Sequence, residues 1–387
     1  MGDPQSWSEP AIRFGPRYYY TEQGIAAARK VYQQIYQSDD AGGVDAGPDD
    51  WTTKLVFGPA TEAPSVPDNV LYDGKVADAA VEAMTRIHGR DEPFFLAVGF
   101  IKPHSPYIAP KPYFDLYEDV AIAEETELPA NSPKFAGHNS GELRRYTDQP
   151  KRGEIPQENQ RRVHQAYYAC VSYIDHQVGR VLNHLDQLGL RDDTIVVLLG
   201  DHGYHLGEQG LWGKTTNFEL DTRVPLIMRV PGMDHDGEPT SSLVELVDLY
   251  PTLVELAGLP TPSQLDGESF GSVLRDPRGT TKDFALSQYP RSGGLMGYSL
   301  RTDTHRFTSW IERSTGRERA SELYAYDDGP VEKANLVASA PQLAARLSAR
   351  LVSLTGRADG DEPASEQKTT PDDGSAKRPS ALFMNSA

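Results

Sequence analysis

Two stretches of the chain carry apolar residues at helical spacing. In VHQAYYACVSYIDHQVGRVLNHLDQL, the residues Val163, Tyr167, Cys170, Val171, Ile174, Val178, Val181 and Leu185 fall at three- and four-residue steps, the signature of an amphipathic helix. A second helix is predicted from about Asp73, a candidate N-cap, with Val76, Ala80, Ala83, Met84 and Ile87 on one face. Three other stretches, PFFLAVGF, TIVVLLG and VPLIMRVPG, are continuous apolar runs of strand length, the pattern of parallel strands covered on both sides. LVELVDLYPTLVELAGL reads as helical, with Pro251 opening its second half, and Gly24 to Ile35 suits a shorter helix. Strands and helices alternating in this way predict an α/β fold, a mostly parallel sheet flanked by helices.

Beyond about residue 280 the texture changes. ALSQYP, GYSLRTDTHRFTSWIE and SELYAYDDG are short alternating segments separated by turns, and they predict a small antiparallel sheet. PQLAARLSARLVSL closes it as an amphipathic helix. The expected organisation is an α/β domain over 1–280, a small C-terminal α+β subdomain over 281–356, and a polar tail over 357–387 that is expected to be disordered. Residues 1–65 are irregular, and residues 105–160 form a Pro-rich excursion too long for a simple connection, which reads as a surface or substrate-side insertion.

Composition narrows the function. A hydrophobic fraction of 38% with 19 Tyr and 12 Phe indicates a folded chain. The formal charge of -18 disfavours nucleic acid as a partner, because a phosphate backbone is repelled. An anionic substrate then requires a metal or a local basic cluster to reverse the sign. The single cysteine, Cys170, excludes intrachain disulfides and any multi-cysteine zinc site, and its place on an apolar helix stripe reads as a buried, inert thiol. No run of the chain is long and apolar enough to span a bilayer. The first residues, MGDPQSWSEP, show neither a basic n-region nor an apolar h-region, so no signal peptide is expected there.

Candidate chemistry gathers where the apolar runs stop. PFFLAVGF leads into IKPHSPY and thus to His104; TIVVLLG leads into DHG and thus to Asp201 and His202. In an open α/β sheet, ligands bind beyond the carboxyl ends of the strands. Each residue also has an ordinary structural explanation: Asp201 as a turn cap, His202 as a hydrogen-bonded histidine, His104 as a rigid loop residue and Lys214 as a solvated lysine. Their convergence on strand ends favours a common site. By ligand softness an acid beside an imidazole suits zinc, manganese or iron at least as well as calcium. A metal together with Lys214 would offset the charge of an oxyanion-bearing substrate.

GDHGYHLGEQGLWGKTTNFELDTRVPLIMRVPG resembles the second signature region of type I sulfatases, in the alkaline-phosphatase superfamily. PFFLAVGFIKPHSPY, YYACVSYIDHQVGRVL, VELVDLYPTLVELAGLP, LDGESF, LSQYPR and MGYSLRTDTHRFTSW extend the similarity in the same order, and together they resemble the iduronate-2-sulfatase-like subgroup most. The resemblance implies an alkaline-phosphatase-like fold and hydrolysis of sulfate esters on a sulfated sugar. It implies further that Asp201 and His202 are the late pair of a Ca2+ site, that Lys214 contacts the sulfate, and that His104 contacts the ester and assists the leaving alcohol as a general acid. His205 lies near enough to line the pocket or to serve a local hydrogen bond. Calcium comes from the family alone, since histidine is an unusual ligand for so hard an ion.

The family's nucleophile is a formylglycine matured from C-x-P-x-R or S-x-P-x-R, and no such motif occurs in the 387 residues. SEPAIR, Ser8 to Arg13, carries one residue too many, and the acidic pairs Asp39–Asp40 and Asp49–Asp50 sit in Gly-rich sequence rather than after a strand. The expectation is therefore an N-terminally truncated sulfatase that lacks its first strand region and is inactive as it stands. The alternatives are a non-catalytic sulfatase-like binding protein, or a phosphatase or phosphonate hydrolase of the same superfamily. Full-length members are expected to be periplasmic, secreted or lysosomal. The resemblance implies a sulfated saccharide as partner and leaves the oligomeric state open.

Overall fold

The computed structural model describes residues 7–15, 17–36, 57–90, 92–122, 126–235, 237–327 and 329–356. Asp39–Asp40, Asp49–Asp50 and the polar tail lie outside the described residues. The chain divides into two compact units, one formed by Met1–Glu124 with Asn139–Thr194, the other by Glu125–His138 with Ile195–Ala387.

In the first unit, helix α1 (Glu22–Tyr36) follows a loop held by a buried carboxylate. Glu62 accepts hydrogen bonds from the backbone N–H groups of Tyr20 (2.8 Å) and Thr21 (2.9 Å), and so fixes the entry of the helix. Glu62 belongs to β1 (Thr61–Glu62), which pairs in parallel with β2 (Tyr107–Ile108). Helices α2 (Tyr72–His88), α3 (Lys111–Asp115) and α4 (Gln157–Gln187) complete the unit. Residues Ala77, Ala80, Ala83 and Met84 form the buried face of α2, against which α4 packs. The first turn of α2 needs Gly74, because it lies against the backbone just before the helix. Its N–H donates to the Tyr173 hydroxyl (2.7 Å), and a Cβ there would fall 2.2 Å from the Asp68 carbonyl oxygen.

Asp73 does not cap α2. No side chain caps that helix, and the buried Asp73 carboxylate instead accepts from the N–H groups of Ile101 (2.7 Å) and Lys102 (3.2 Å). On α4 the buried stripe runs through Val163, Ala166, Ala169, Cys170 and Tyr173, so Val171, expected on it, is exposed. Cys170 is fully buried, and burial pushes its thiol up to about 12, as expected of an inert thiol.

PFFLAVGF forms no ladder among the described residues. From Phe94 to Ile101 its residues alternate between half-buried and exposed, the periodicity of extended chain, and Phe95 is 71% exposed. The 105–160 excursion is more than a surface insertion. It supplies Tyr107, Ile108, Leu143, Tyr146 and Ile155 to buried positions, because its prolines and short turns fold it back onto the unit.

The second unit begins with β3 (Val196–Leu199), which pairs antiparallel with β6 (Leu226–Arg229) in the register Val196↔Arg229 to Leu199↔Leu226. Between them lie β4 (His205–Leu206) and β5 (Trp212–Gly213), paired antiparallel, and the short helix α5 (Glu219–Thr222). Helix α6 (Leu249–Leu256) carries Pro251 in its first turn, where its missing N–H costs no bond, and α7 (Gly271–Arg275) follows. Strands β7 (Ala285–Arg291), β8 (Leu295–Arg301), β9 (His305–Glu312) and β10 (Glu318–Ala325) form the expected antiparallel sheet, in the order β10-β9-β8-β7. Helix α8 (Pro341–Thr355) covers it, and Leu300, Phe307 and Leu323 are buried against Ala344, Leu347 and Leu351. Each large apolar side chain so buried contributes about 1.5–3 kcal/mol. The molecule is thus of the α/β class, with a small antiparallel sheet near its C-terminus.

Candidate active site

The site is built around a tight turn at the end of β3. Gly200 donates its N–H to the Pro225 carbonyl (3.1 Å), and Gly203 donates to the Asp221 carbonyl (2.8 Å). A Cβ on Gly203 would lie 1.8 Å from the Leu220 carbonyl oxygen, so only glycine lets the two backbones meet. The turn presents Asp201, whose side chain is 62% exposed, and the largely buried His202. His202 Nδ1 lies 2.7 Å from the Gly203 carbonyl. That acceptor places the ring proton on Nδ1, and Nε2 lies 3.9 Å from Asp201 Oδ1.

A second turn carries Lys214, half-buried between Gly213 (φ 144°) and Thr215 (φ 88°). A β-branched residue at positive φ is strained by about 1–3 kcal/mol. Two partners hold it. Arg291, at the end of β7, donates through Nη1 to the Thr215 carbonyl (2.7 Å). Asp221 Oδ2 accepts from both the N–H and the hydroxyl of Thr216, each at 2.7 Å.

His205 lies inside this framework rather than on a pocket wall. Its side chain is 0% exposed, with Nδ1 2.7 Å from Asp221 Oδ1 and Nε2 2.9 Å from Gln209 Oε1. Gln209 in turn donates through Nε2 to the Glu332 carboxylate (3.0 Å), which fixes its amide orientation. Both ring nitrogens of His205 therefore face acceptors and both donate, the pattern of an imidazolium. Burial alone lowers its pKa, but the hydrogen bond and charge of Asp221 outweigh burial, and the net shift is upward. The local hydrogen-bonding role is the one this geometry matches.

The network continues into the C-terminal sheet. Arg306 is buried and donates to the Glu219 carboxylate (2.6 Å), and Arg301 donates to the same group (2.9 Å). Burial opposes ionisation of Glu219, yet the two guanidinium groups prevail and hold its carboxyl below the usual range.

His104 belongs to the first unit. Its Nδ1 lies 2.7 Å from the Ser105 carbonyl, and Nε2 lies 3.5 Å from Glu142 Oε1. Lys102 shapes the loop from within, donating to the carbonyls of His104 (2.8 Å) and Pro106 (2.6 Å), while burial lowers its ammonium pKa.

The structure thus brings Asp201 into contact with His202, and ties their turn, His205 and the Lys214 turn to one residue, Asp221. The sequence reading assigns no site role to Asp221, Thr216 or Arg291, although Thr216 and Asp221 lie within the GDHG block and Arg291 ends the LSQYPR block. As a metal centre the described residues are incomplete. No group of three or more His, Cys, Asp or Glu that could hold an ion occurs among them, and two donors fall far short of the six to eight oxygens calcium takes. No step below passes through a metal.

Solved structures share this fold. The phosphonate monoester hydrolase of Silicibacter pomeroyi superposes with a TM-score of 0.64 at 23% identity, covering 86% of this chain and 68% of that one. A protein solved with its substrate D-glucosamine-2-N,6-O-disulfate gives 0.58 at 20% identity, over 76% of this chain and 71% of the other. The sulfatase family model matches residues 22–259, and one for the C-terminal part of N-sulphoglucosamine sulphohydrolase matches residues 207–356. Human iduronate 2-sulfatase is 33% identical over 345 residues. The chain belongs to the sulfatase family. The match covers 70% of this chain and 63% of the human protein. Among the described residues no helix is long and apolar enough to cross a membrane.

Proposed function

We propose that this chain carries the sulfate-recognition part of a hydrolase acting on sulfate esters of a sulfated sugar. In this reading Lys214 binds the sulfate, His104 protonates the departing alcohol oxygen, and Asp201 and His202 are two ligands of a calcium ion whose remaining ligands the described residues do not include. The observation that carries it is the common anchoring of the DHG turn and the Lys214 turn on Asp221, which ties the backbone around the lysine and that of two potential metal ligands to one residue. The similarity to human iduronate 2-sulfatase and to the protein solved with a disulfated glucosamine supports a saccharide as the substrate class.

Hydrolysis by this family's covalent route needs an attacking oxygen. The formylglycine motif is absent from these 387 residues, and none of His104, Asp201, His202 or Lys214 replaces it. Binding without turnover is the expected behaviour of this chain. Calorimetric titration with sodium sulfate and with a sulfated uronic-acid disaccharide tests the site. Lys214→Ala should weaken sulfate binding about tenfold or more, as loss of a charge-assisted contact does. Unchanged binding would remove Lys214 from its role, and clear turnover of an aryl sulfate, abolished by Lys214→Ala, would show that a nucleophile is present after all. A phosphonate monoester belongs in the same assay, because the fold matches that hydrolase as well.

A further inference from the structure

We propose that Asp221 and Arg291 are positioning residues that aim Lys214 at its anion, an inference that rests on the sulfate-binding role of Lys214 given above. Lys214 has a flexible side chain on a backbone that few sequences would adopt: Gly213 at φ 144° before it and Thr215 at φ 88° after it. Such a conformation persists only where the surroundings over-determine it. Asp221 supplies one side of that constraint. Its Oδ2 accepts from Thr216 N–H and Oγ1–H, its Oδ1 faces His205 Nδ1, and its own carbonyl accepts from Gly203. One side chain and one peptide unit thus fix the lysine turn and the DHG turn together.

Arg291 supplies the other side. Its guanidinium donates to four carbonyls: Nε to Phe135 (2.6 Å), Nη1 to Thr215 (2.7 Å) and to Pro290 (3.3 Å), and Nη2 to Ala136 (2.6 Å). It lies 5.0 Å from the ring centroid of Tyr289 and 5.5 Å from that of Trp310. A planar fork held against two rings grips the Thr215 peptide in one orientation, and an ammonium group cannot reproduce that. The strain at Thr215 is what a merely stabilising network has no reason to keep. A glycine there would relieve it, so its retention points to a required direction for Lys214.

The test uses the full chain with Arg291→Lys, Asp221→Asn and Thr215→Gly. Three measurements are made on each: thermal unfolding, calorimetric affinity for sodium sulfate, and the rate at which trinitrobenzenesulfonate modifies Lys214, followed by peptide mass spectrometry with and without sulfate. Arg291→Lys and Asp221→Asn should speed modification of Lys214 severalfold and weaken sulfate binding about tenfold, equivalent to about 1.4 kcal/mol. Thr215→Gly is the decisive variant: it should weaken sulfate binding without lowering the unfolding temperature, which a purely structural role would not produce. If Thr215→Gly and Arg291→Lys bind sulfate within about twofold of the parent and leave the modification rate unchanged, the positioning role is wrong. If sulfate fails to protect Lys214 in the parent chain, the sulfate site itself is wrong, and the modification rates of the variants still decide whether Asp221 and Arg291 hold the lysine.

Discussion

His205 shows how far a buried residue's partners can lie from it in sequence. Its place in GDHGYHLGEQG leaves open a pocket wall or a local hydrogen bond; its partners, Asp221 and Gln209, close both ring nitrogens. Those pairings depend on a residue sixteen positions away and on Glu332, more than a hundred positions away, and no local pattern announces them. Asp201, His202 and Lys214 are marked in the sequence by a strand end and by the GDHG block. Substituting His205→Gln leaves a buried carboxylate without its cationic partner, and should destabilise the chain by roughly 2–4 kcal/mol at acidic pH. The pH dependence follows from the upward shift of His205. A raised folded-state pKa gives stability that is fully present below the ordinary value of 6.5 and is lost as pH rises through the folded value. The difference between the parent and His205→Gln in urea unfolding should therefore be largest near pH 6 and shrink toward alkaline pH. A difference that grows with pH would mean the ring is buried neutral.

At the scale of elements, periodicity located the helices well and their partners poorly. The α4 repeat is legible in full, but the stripe that packs is set by the neighbours α2, α3, β1 and β2, and it runs through Ala166, Ala169 and Tyr173 and leaves Val171 outside. Asp73 looked like a helix cap because its position suits one, yet its carboxylate serves the backbone of Ile101 and Lys102 instead. That contact couples α2 to the loop of His104, and a single-sequence pattern contains nothing of it. PFFLAVGF had the composition of a covered strand, but a strand also needs a hydrogen-bonding neighbour, and among the described residues it has none. Glycines give a paired test of the elements. Gly203→Ala forces a Cβ against the Leu220 carbonyl oxygen and should cost about 3 kcal/mol or more, with the DHG turn displaced. Gly179→Ala, inside α4 with nothing within 4 Å of the added carbon, should stabilise by about 0.5–1 kcal/mol. Thermal unfolding of both variants measures the contrast; equal effects would mean the backbone contact at Gly203 is looser than described.

At the scale of the whole molecule, both units leave apolar surface uncovered, each in its own way. In the first, Phe95 of the PFFLAVGF segment and Ile101 just after it are exposed. In the second, β3 and β6 pair only with each other among the described residues, and Leu198, Leu199 and Ile227 are exposed, Ile227 at 61%. A two-stranded sheet with free edges and apolar side chains is a template for further pairing. The formal charge of -18 works against association by mutual repulsion, but that repulsion is screened over about 10 Å at 0.1 M salt and about 3 Å at 1 M. The chain should therefore stay dispersed at low ionic strength and associate as sodium chloride is raised, with light scattering increasing and the bound fluorescence of an apolar dye falling as the surfaces are covered. Lysine at an exposed position of each strand, Leu199→Lys with Ile227→Lys, adds charge where pairing would occur and should suppress the salt-driven association. Scattering that is independent of salt, or as strong in the double variant as in the parent, would show that the β3–β6 pair is not the associating surface.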